Sequence, residues 1–322
     1  MLIKHKGLFF GLFSGITWAL DTVLIGVVLS SSLFLSTNEI IFLAPLISTF
    51  LHDTMSSVWM IIYTALRKDL KNTFSKFKTK SGLFVMLGAL LGGPIGMTFY
   101  VLAVKYIGAS YTASISAIYP AIGALFAYIF LKDRLTLKNC LGLFISILFI
   151  FLLGYSSGEF NSPNYLLGFM FALVTVLGWG LECVICAHGM KGNQVSPEQA
   201  LQIRQLVSTF TFALLIIPFF KGYPLVAEVM ISTEFILIGL IALSGTTSYV
   251  FYYKAIYTLG PTRAMALNIT YSSWAIILGY FIVGTPITLK LIVCSLMIIF
   301  GSILTVANSE ELKFKNYIGI GE

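Results

Sequence analysis

Two short patterns in this 322-residue chain place a carboxylate beside an indole. Trp18 and Asp21 stand three residues apart, and Trp179 and Glu182 repeat the spacing. On a helix, residues three apart share a face, so each pair presents both groups together. The surrounding residues are almost all apolar. A carboxylate buried in such a run is costly, and it is kept where it meets a cavity, a partner or a bound group. Ring faces attract a cation by about 2 kcal/mol or more when the contact is dry. Indole plus carboxylate is therefore chemistry for a cation. It suits a quaternary ammonium group, which has no N–H and gains little from hydrogen-bond acceptors. Tyr249, Tyr252, Tyr271 and Trp274 add rings at similar depth in later runs, where aromatic residues are off their usual interfacial pattern. The expected binding set is thus Trp18, Trp179, Glu182, Tyr249, Tyr252, Tyr271 and Trp274. Packing alone is the competing reading for each single ring.

Four further polar residues fall in apolar runs: Asp21, His52, Asp53 and Arg204. They are candidates for coupling or gating. Asp21 also fits a structural hydrogen bond. His52 and Asp53 read either as a proton relay or as a self-satisfied polar knot. Arg204 is expected to pair with a buried carboxylate or to reach for the aqueous boundary. There is no H-E-x-x-H, no G-x-S-x-G and no metal-spaced Cys/His set. No catalytic residue, metal site, cofactor or enzymatic activity is therefore expected. Cys183 and Cys186 form a lone C-x-x-C inside an apolar run, and with Cys140 and Cys294 they read as packing residues.

The elements that position these residues follow from composition. The chain is 58% hydrophobic and 10% charged, against about 25% charged for soluble domains. Its solvent is mostly lipid. The net charge of +7 sits in loops, so no nucleic-acid partner is implied. A hydrocarbon core about 30 Å thick takes about 20 apolar residues per helix. Ten such segments are predicted, at 7–30, 38–65, 81–102, 108–131, 137–154, 164–187, 197–220, 234–257, 262–284 and 288–307. The first follows a basic start but shows no cleavage signal, so it reads as a retained helix. Ser196, Pro197 and Gln199 read as a capping box opening the seventh.

With the N-terminus cytoplasmic, fifteen basic residues face the cytoplasm (Arg134, Lys313 and Lys315 among them) against three on the other side, Lys105, Lys221 and Lys290. That is a positive-inside pattern with both termini cytoplasmic. The sequence also repeats itself. A shift of 152 sets Tyr100 on Tyr252, Gly108 on Gly260, Tyr119 on Tyr271 and Thr136-Leu-Lys138 on Thr288-Leu-Lys290; a shift of 161 sets Trp18 on Trp179 and Asp21 on Glu182. Five helices is an odd number, so the second half enters the membrane from the opposite side. The expected fold is an all-α polytopic membrane protein with ten transmembrane helices in a 5+5 inverted-topology repeat. The halves are 1–158 and 159–322, forming one transport domain. Gly7, Gly11 and Gly15, and likewise Gly88, Gly92 and Gly96, form small-residue faces for close helix packing.

Further short segments stand out: Gly93-Pro-Ile-Gly-Met97, Ala103-Val-Lys-Tyr-Ile-Gly108, Ser116-Ala-Ile-Tyr-Pro120, Trp179-Gly-Leu-Glu182, Ile203-Arg-Gln205 and Asn268-Ile-Thr-Tyr271, with His52-Asp53 and Trp18. In these the chain resembles the drug/metabolite transporter superfamily in its EamA-type group, and within it the LicB-type bacterial choline permeases. The resemblance runs from Gly7 to about Val306. It implies import of choline across the bacterial plasma (inner) membrane, to supply phosphocholine decoration of surface polymers. It also implies an aromatic box of Trp18, Trp179 and Tyr271 with Glu182 as countercharge. The expected partners are choline or a similar organic cation and membrane lipid, with a homodimer left open. The rival reading is an exporter of drugs, metabolites or amino acids in the same superfamily. A choline sensor would need an output domain, and the loops are too short for one.

Overall fold

The computed structural model describes residues 2–116, 118–133, 135–154, 165–284 and 288–306. The half boundary placed at 158, Arg134, Lys313 and Lys315 lie outside them. Among the described residues every regular element is helical. The main helices are α1 (Leu2–Leu29), α2 (Asn38–Leu66), α3 (Lys80–Leu90), α4 (Gly96–Ser116), α5 (Tyr119–Phe126), α6 (Leu137–Gly154), α7 (Tyr165–Met190), α8 (Pro197–Thr211), α9 (Thr233–Leu259), α10 (Pro261–Asn268), α11 (Tyr271–Val283) and α12 (Leu289–Val306). Seven stretches are long and apolar enough to cross a membrane, and three shorter apolar helices, Tyr119–Leu131, Leu137–Leu152 and Leu289–Thr305, accompany them.

Local chemistry sets the helix ends. The Ser196 side chain accepts from the Gln199 amide while Gln199 accepts from the Ser196 amide, the expected capping box. Thr37 caps α2 and Thr79 caps α3 in the same manner. Gly260 takes a φ of +85°, open mainly to glycine, and turns α9 into α10, where Pro261 occupies the first helical position. Between α3 and α4, Leu91–Ile95 forms a single π turn around Pro94. Proline lacks the amide that the preceding turn needs, and the widened turn absorbs the defect. Two expectations fail here. Helix α4 runs through 103–107, where a loop was expected, because Ala103-Val-Lys-Tyr-Ile107 contains no helix breaker. The fourth and ninth expected segments are not continuous: one helix ends at Ser116 and the next begins at Tyr119, and the ninth segment breaks at Ile269–Thr270, where the Thr270 hydroxyl bonds back to the Leu267 carbonyl.

Packing follows the repeat. Helix α1 lies on α9, α10 and α11, and its counterpart α7 lies on α3, α4 and α5. Helix α2 packs on α8 and α9, α8 on α2 and α3, and α6 on α12. Exchanging the halves reproduces the set. The two glycine faces act as expected. A Cβ on Gly15 would press on Thr270 of the α10–α11 turn, and one on Gly96 would press on the Trp179 indole of α7.

The molecule is apolar outside and charged inside. Phe281 is 76% exposed and Leu214 69%, while Arg204 and Asp53 are each 4% exposed. Such a surface is stable in lipid, and buried charge there persists only when paired. On α2, His52 and Asp53 stand between Ile47 of one apolar core and Met60 of another.

Candidate functional site

A cavity of about 340 Å³ lies at the centre, where the helices of both halves meet. Trp18, Trp179, Glu182, Tyr249, Tyr252 and Tyr271 all line it, as do Asp21, His52, Asp53 and Arg204. Trp274 does not. The cavity wall stops at the first turn of α11, and Trp274 stands one turn further along, its buried indole N–H without a partner among the described residues. Tyr100, Tyr119, Tyr253 and Asn268 also line the cavity and lie outside the expected binding set. The repeat pointed to two of them: Tyr100 and Tyr119 are the counterparts of Tyr252 and Tyr271.

The aromatic wall is doubled. Trp18 and Trp179, Tyr100 and Tyr252, and Tyr119 and Tyr271 are three related pairs, and all six rings reach the cavity. The Trp179 ring stacks on Tyr100 at 5.4 Å and meets Tyr119 edge-on at 5.8 Å. Trp18 meets Tyr249 edge-on at 5.1 Å. The Trp179 indole N–H donates to the Gly92 carbonyl at 3.1 Å, within the π turn. The turn thus serves two ends: it accommodates Pro94 and offers a carbonyl that fixes the ring.

The two helix breaks also correspond. Helix α4 ends at Ser116 and α5 begins at Tyr119; α10 ends at Asn268 and α11 begins at Tyr271, each 152 residues on. Tyr119, Asn268 and Tyr271 line the cavity. Interrupted helices at matching positions of two repeats, with their free ends at the cavity, are a mark of substrate sites in transporters.

A chain of charges crosses the cavity wall. Asp21 Oδ1 lies 2.9 Å from His52 Nε2, and His52 Nδ1 lies 3.6 Å from Asp53. Asp53 takes Arg204 Nη1 at 3.2 Å and the Ser208 hydroxyl at 2.6 Å. Arg204 Nε donates to Glu182 at 3.1 Å, and Arg204 Nη2 donates to the Tyr249 hydroxyl at 3.1 Å. The guanidinium carbon stands 4.5 Å from the Tyr249 ring centroid. Glu182 is therefore not the lone countercharge that its apolar neighbours in sequence suggested, because Arg204 arrives from another helix. Arg204 takes the first of its two expected roles, pairing with buried carboxylates. His52 and Asp53 belong to a network spanning five helices, wider than a local knot.

The network carries the repeat too. The shift of 152 sets His52 on Arg204, Asp53 on Gln205 and Ser56 on Ser208. Asp21–His52 and Glu182–Arg204 are then the same contact in the two halves: an acid on the first helix, a base on the second. The cross-links agree, since Ser208 donates to Asp53 and Gln205 donates to Ser56. Cys183 also reaches the cavity and accepts from the Tyr252 hydroxyl at 3.4 Å.

Charge decides what this cavity can hold. Its charged lining consists of three carboxylates, one guanidinium and one imidazole. With all three carboxylates ionised, one negative charge is left over if the imidazole is protonated and two if it is neutral. Ring faces on several sides and an excess of carboxylates over permanent cations are chemistry suited to a cation.

Apolar helices, a two-fold internal repeat and a central cavity at matched helix breaks define a multi-pass transporter. The chain belongs to the EamA-like transporter family, which it matches twice, over residues 5–155 and 166–307. It is 32% identical over 309 residues to Protein LicB of Haemophilus influenzae, an alignment covering 96% of this chain and all of that protein. It is 24% identical over 251 residues to an uncharacterized transporter of Clostridium kluyveri, covering 76% of this chain and 78% of the other. A solved crystal structure at 16% identity superposes with a TM-score of 0.65, over 94% of this chain and 96% of that one, and shows a shared fold. The protein is a multi-pass membrane protein, consistent with the bacterial inner membrane.

Proposed function

We propose that this protein imports choline, or a close quaternary amine, across the bacterial plasma membrane by alternating access of its two halves. The observation that carries the reading is a cavity lined by paired rings, three carboxylates and a single guanidinium. A loaded cavity with protonated His52 balances: three carboxylates against Arg204, the imidazolium and one quaternary ammonium. A trimethylammonium head is nearly spherical and meets ring faces on several sides at once. Trp18, Trp179, Tyr252 and Tyr271 supply those faces, and the carboxylate charge that Arg204 and His52 leave unbalanced attracts the head group. The resemblance to choline permeases agrees with that chemistry. The halves 1–158 and 159–322 act as inverted repeats with both termini cytoplasmic, and the imported choline supplies phosphocholine for surface polymers.

A membrane potential favours entry of a cation by about 2.3 kcal/mol per 100 mV. The test is uptake of labelled choline by liposomes holding the purified protein, with the interior negative. Uptake that rises with the potential is expected. Binding without uptake, or export of unrelated solutes, would favour the exporter reading.

A further inference from the structure

The repeat builds the same contact twice: Asp21 with His52, and Glu182 with Arg204. The bases differ. His52 is an imidazole with an aromatic ring of its own. Arg204 is a permanent planar cation. Its guanidinium makes the two contacts that a free organic cation would make there. It donates to Glu182 at 3.1 Å, and it lies 4.5 Å from the Tyr249 ring centroid. Its side chain is 5% exposed, so the contact is dry enough for ring attraction to count.

We infer that Arg204 is a tethered occupant of the sub-site formed by Glu182 and Tyr249, which restricts the cavity to a single free cation. The inference rests on the cavity being a cation site, but not on the cation being choline. Arg204 also has an anchor outside the sub-site it fills. Nη1 is held by Asp53 and by Gln205, the latter at 2.6 Å. The guanidinium therefore stays put when the cavity is empty, and Glu182 is never left as an uncompensated buried charge. Removing Glu182's partner would strand that charge and leave a hole shaped for a guanidinium.

The probe is methylguanidinium, its binding measured by calorimetry on native protein, on Arg204→Ala and on Arg204→Ala/Glu182→Gln. Native protein has the sub-site filled and is expected to bind it weakly. Arg204→Ala is expected to bind it at least about tenfold tighter, and the added Glu182→Gln to abolish that gain. No gain in folded Arg204→Ala, or a gain that survives Glu182→Gln, overturns the proposal. If Arg204→Ala is recovered only as aggregate, methylguanidinium in the purification buffer is expected to restore monodisperse protein, and failure to do so also overturns it. Choline binding is measured on the native protein alongside. Its absence would count against the proposed cargo, while the methylguanidinium gain would still stand for Arg204.

Discussion

Replacing Trp179 by leucine asks whether the rings hold the cargo by charge or by shape. The mutation is not clean, and the structure says why. Trp179 donates a hydrogen bond to the Gly92 carbonyl, stacks on Tyr100 and meets Tyr119 edge-on. A hydrogen bond contributes about 0.5–1.5 kcal/mol, and each aromatic pair a similar amount. Together the variant forfeits roughly 1.5–4.5 kcal/mol of local order before any ligand arrives. A fall in choline affinity alone would prove nothing. The remedy is a second ligand, the tert-butyl analogue of choline, with the same shape and no charge. Disorder in the wall weakens both ligands alike. Loss of the ring quadrupole weakens only the charged one, by about 1–2 kcal/mol, or roughly five- to thirty-fold. Calorimetry on native and variant protein with both ligands isolates that difference. Trp179→Phe should keep part of it, since a weaker ring face remains. Equal losses for the two ligands would show that Trp179 only fills space, and the aromatic-box reasoning would fail.

Three further outcomes are expected. Asp21→Asn should weaken choline by at least about tenfold, or 1.4 kcal/mol, and Glu182→Gln by less, because Arg204 already neutralises Glu182; equilibrium binding measures both, and a larger loss at Glu182 would place the cargo at Glu182. Gly245→Ala puts a methyl onto His52 Nε2 and 2.6 Å from Asp21 Oδ1, at the junction of their contact; overpacking of this kind costs about 1–3 kcal/mol, seen as a lowered melting temperature in detergent, whereas Gly26→Ala, with nothing within 4 Å, should not lower it. A topology reporter after Glu322 should read cytoplasmic and one near Gly158 external, and the opposite pattern would dismantle the inverted-repeat assignment.

Much of this was legible in the residues. Hydropathy alone located the apolar segments, since each must satisfy its own backbone within lipid and so declares itself by length. The Ser196 box was readable because a cap is a local structure. What failed was also local. No residue between 103 and 107 forbids helix, and none forces a break at 269–270, where a threonine hydroxyl tips the balance against the helical bond. The charged network was half legible. That Asp21, His52, Asp53, Glu182 and Arg204 matter follows from their apolar surroundings. Which acid meets which base is a fact of packing between helices far apart in sequence: 151 residues separate Asp53 from Arg204. Yet the repeat held a clue. The shift that pairs Tyr119 with Tyr271 also pairs His52 with Arg204, so the contact seen in one half predicts the contact in the other.

That doubling bears on how two halves can move about one site. Some links of the network lie within a half: Asp21 with His52 between α1 and α2, and Glu182 with Arg204 between α7 and α8. Others cross between halves, and the main ones join the same two helices, α2 and α8: Arg204 and Ser208 to Asp53, and Gln205 to Ser56. Helices α2 and α8 are each other's counterparts, so their contact lies on the axis that relates the repeats. Links within a half would travel with it if one half rocked against the other, whereas the α2–α8 links join the halves. Leaving one member of a buried pair uncompensated costs about 3–5 kcal/mol, so a cycle that keeps this network paired avoids that cost.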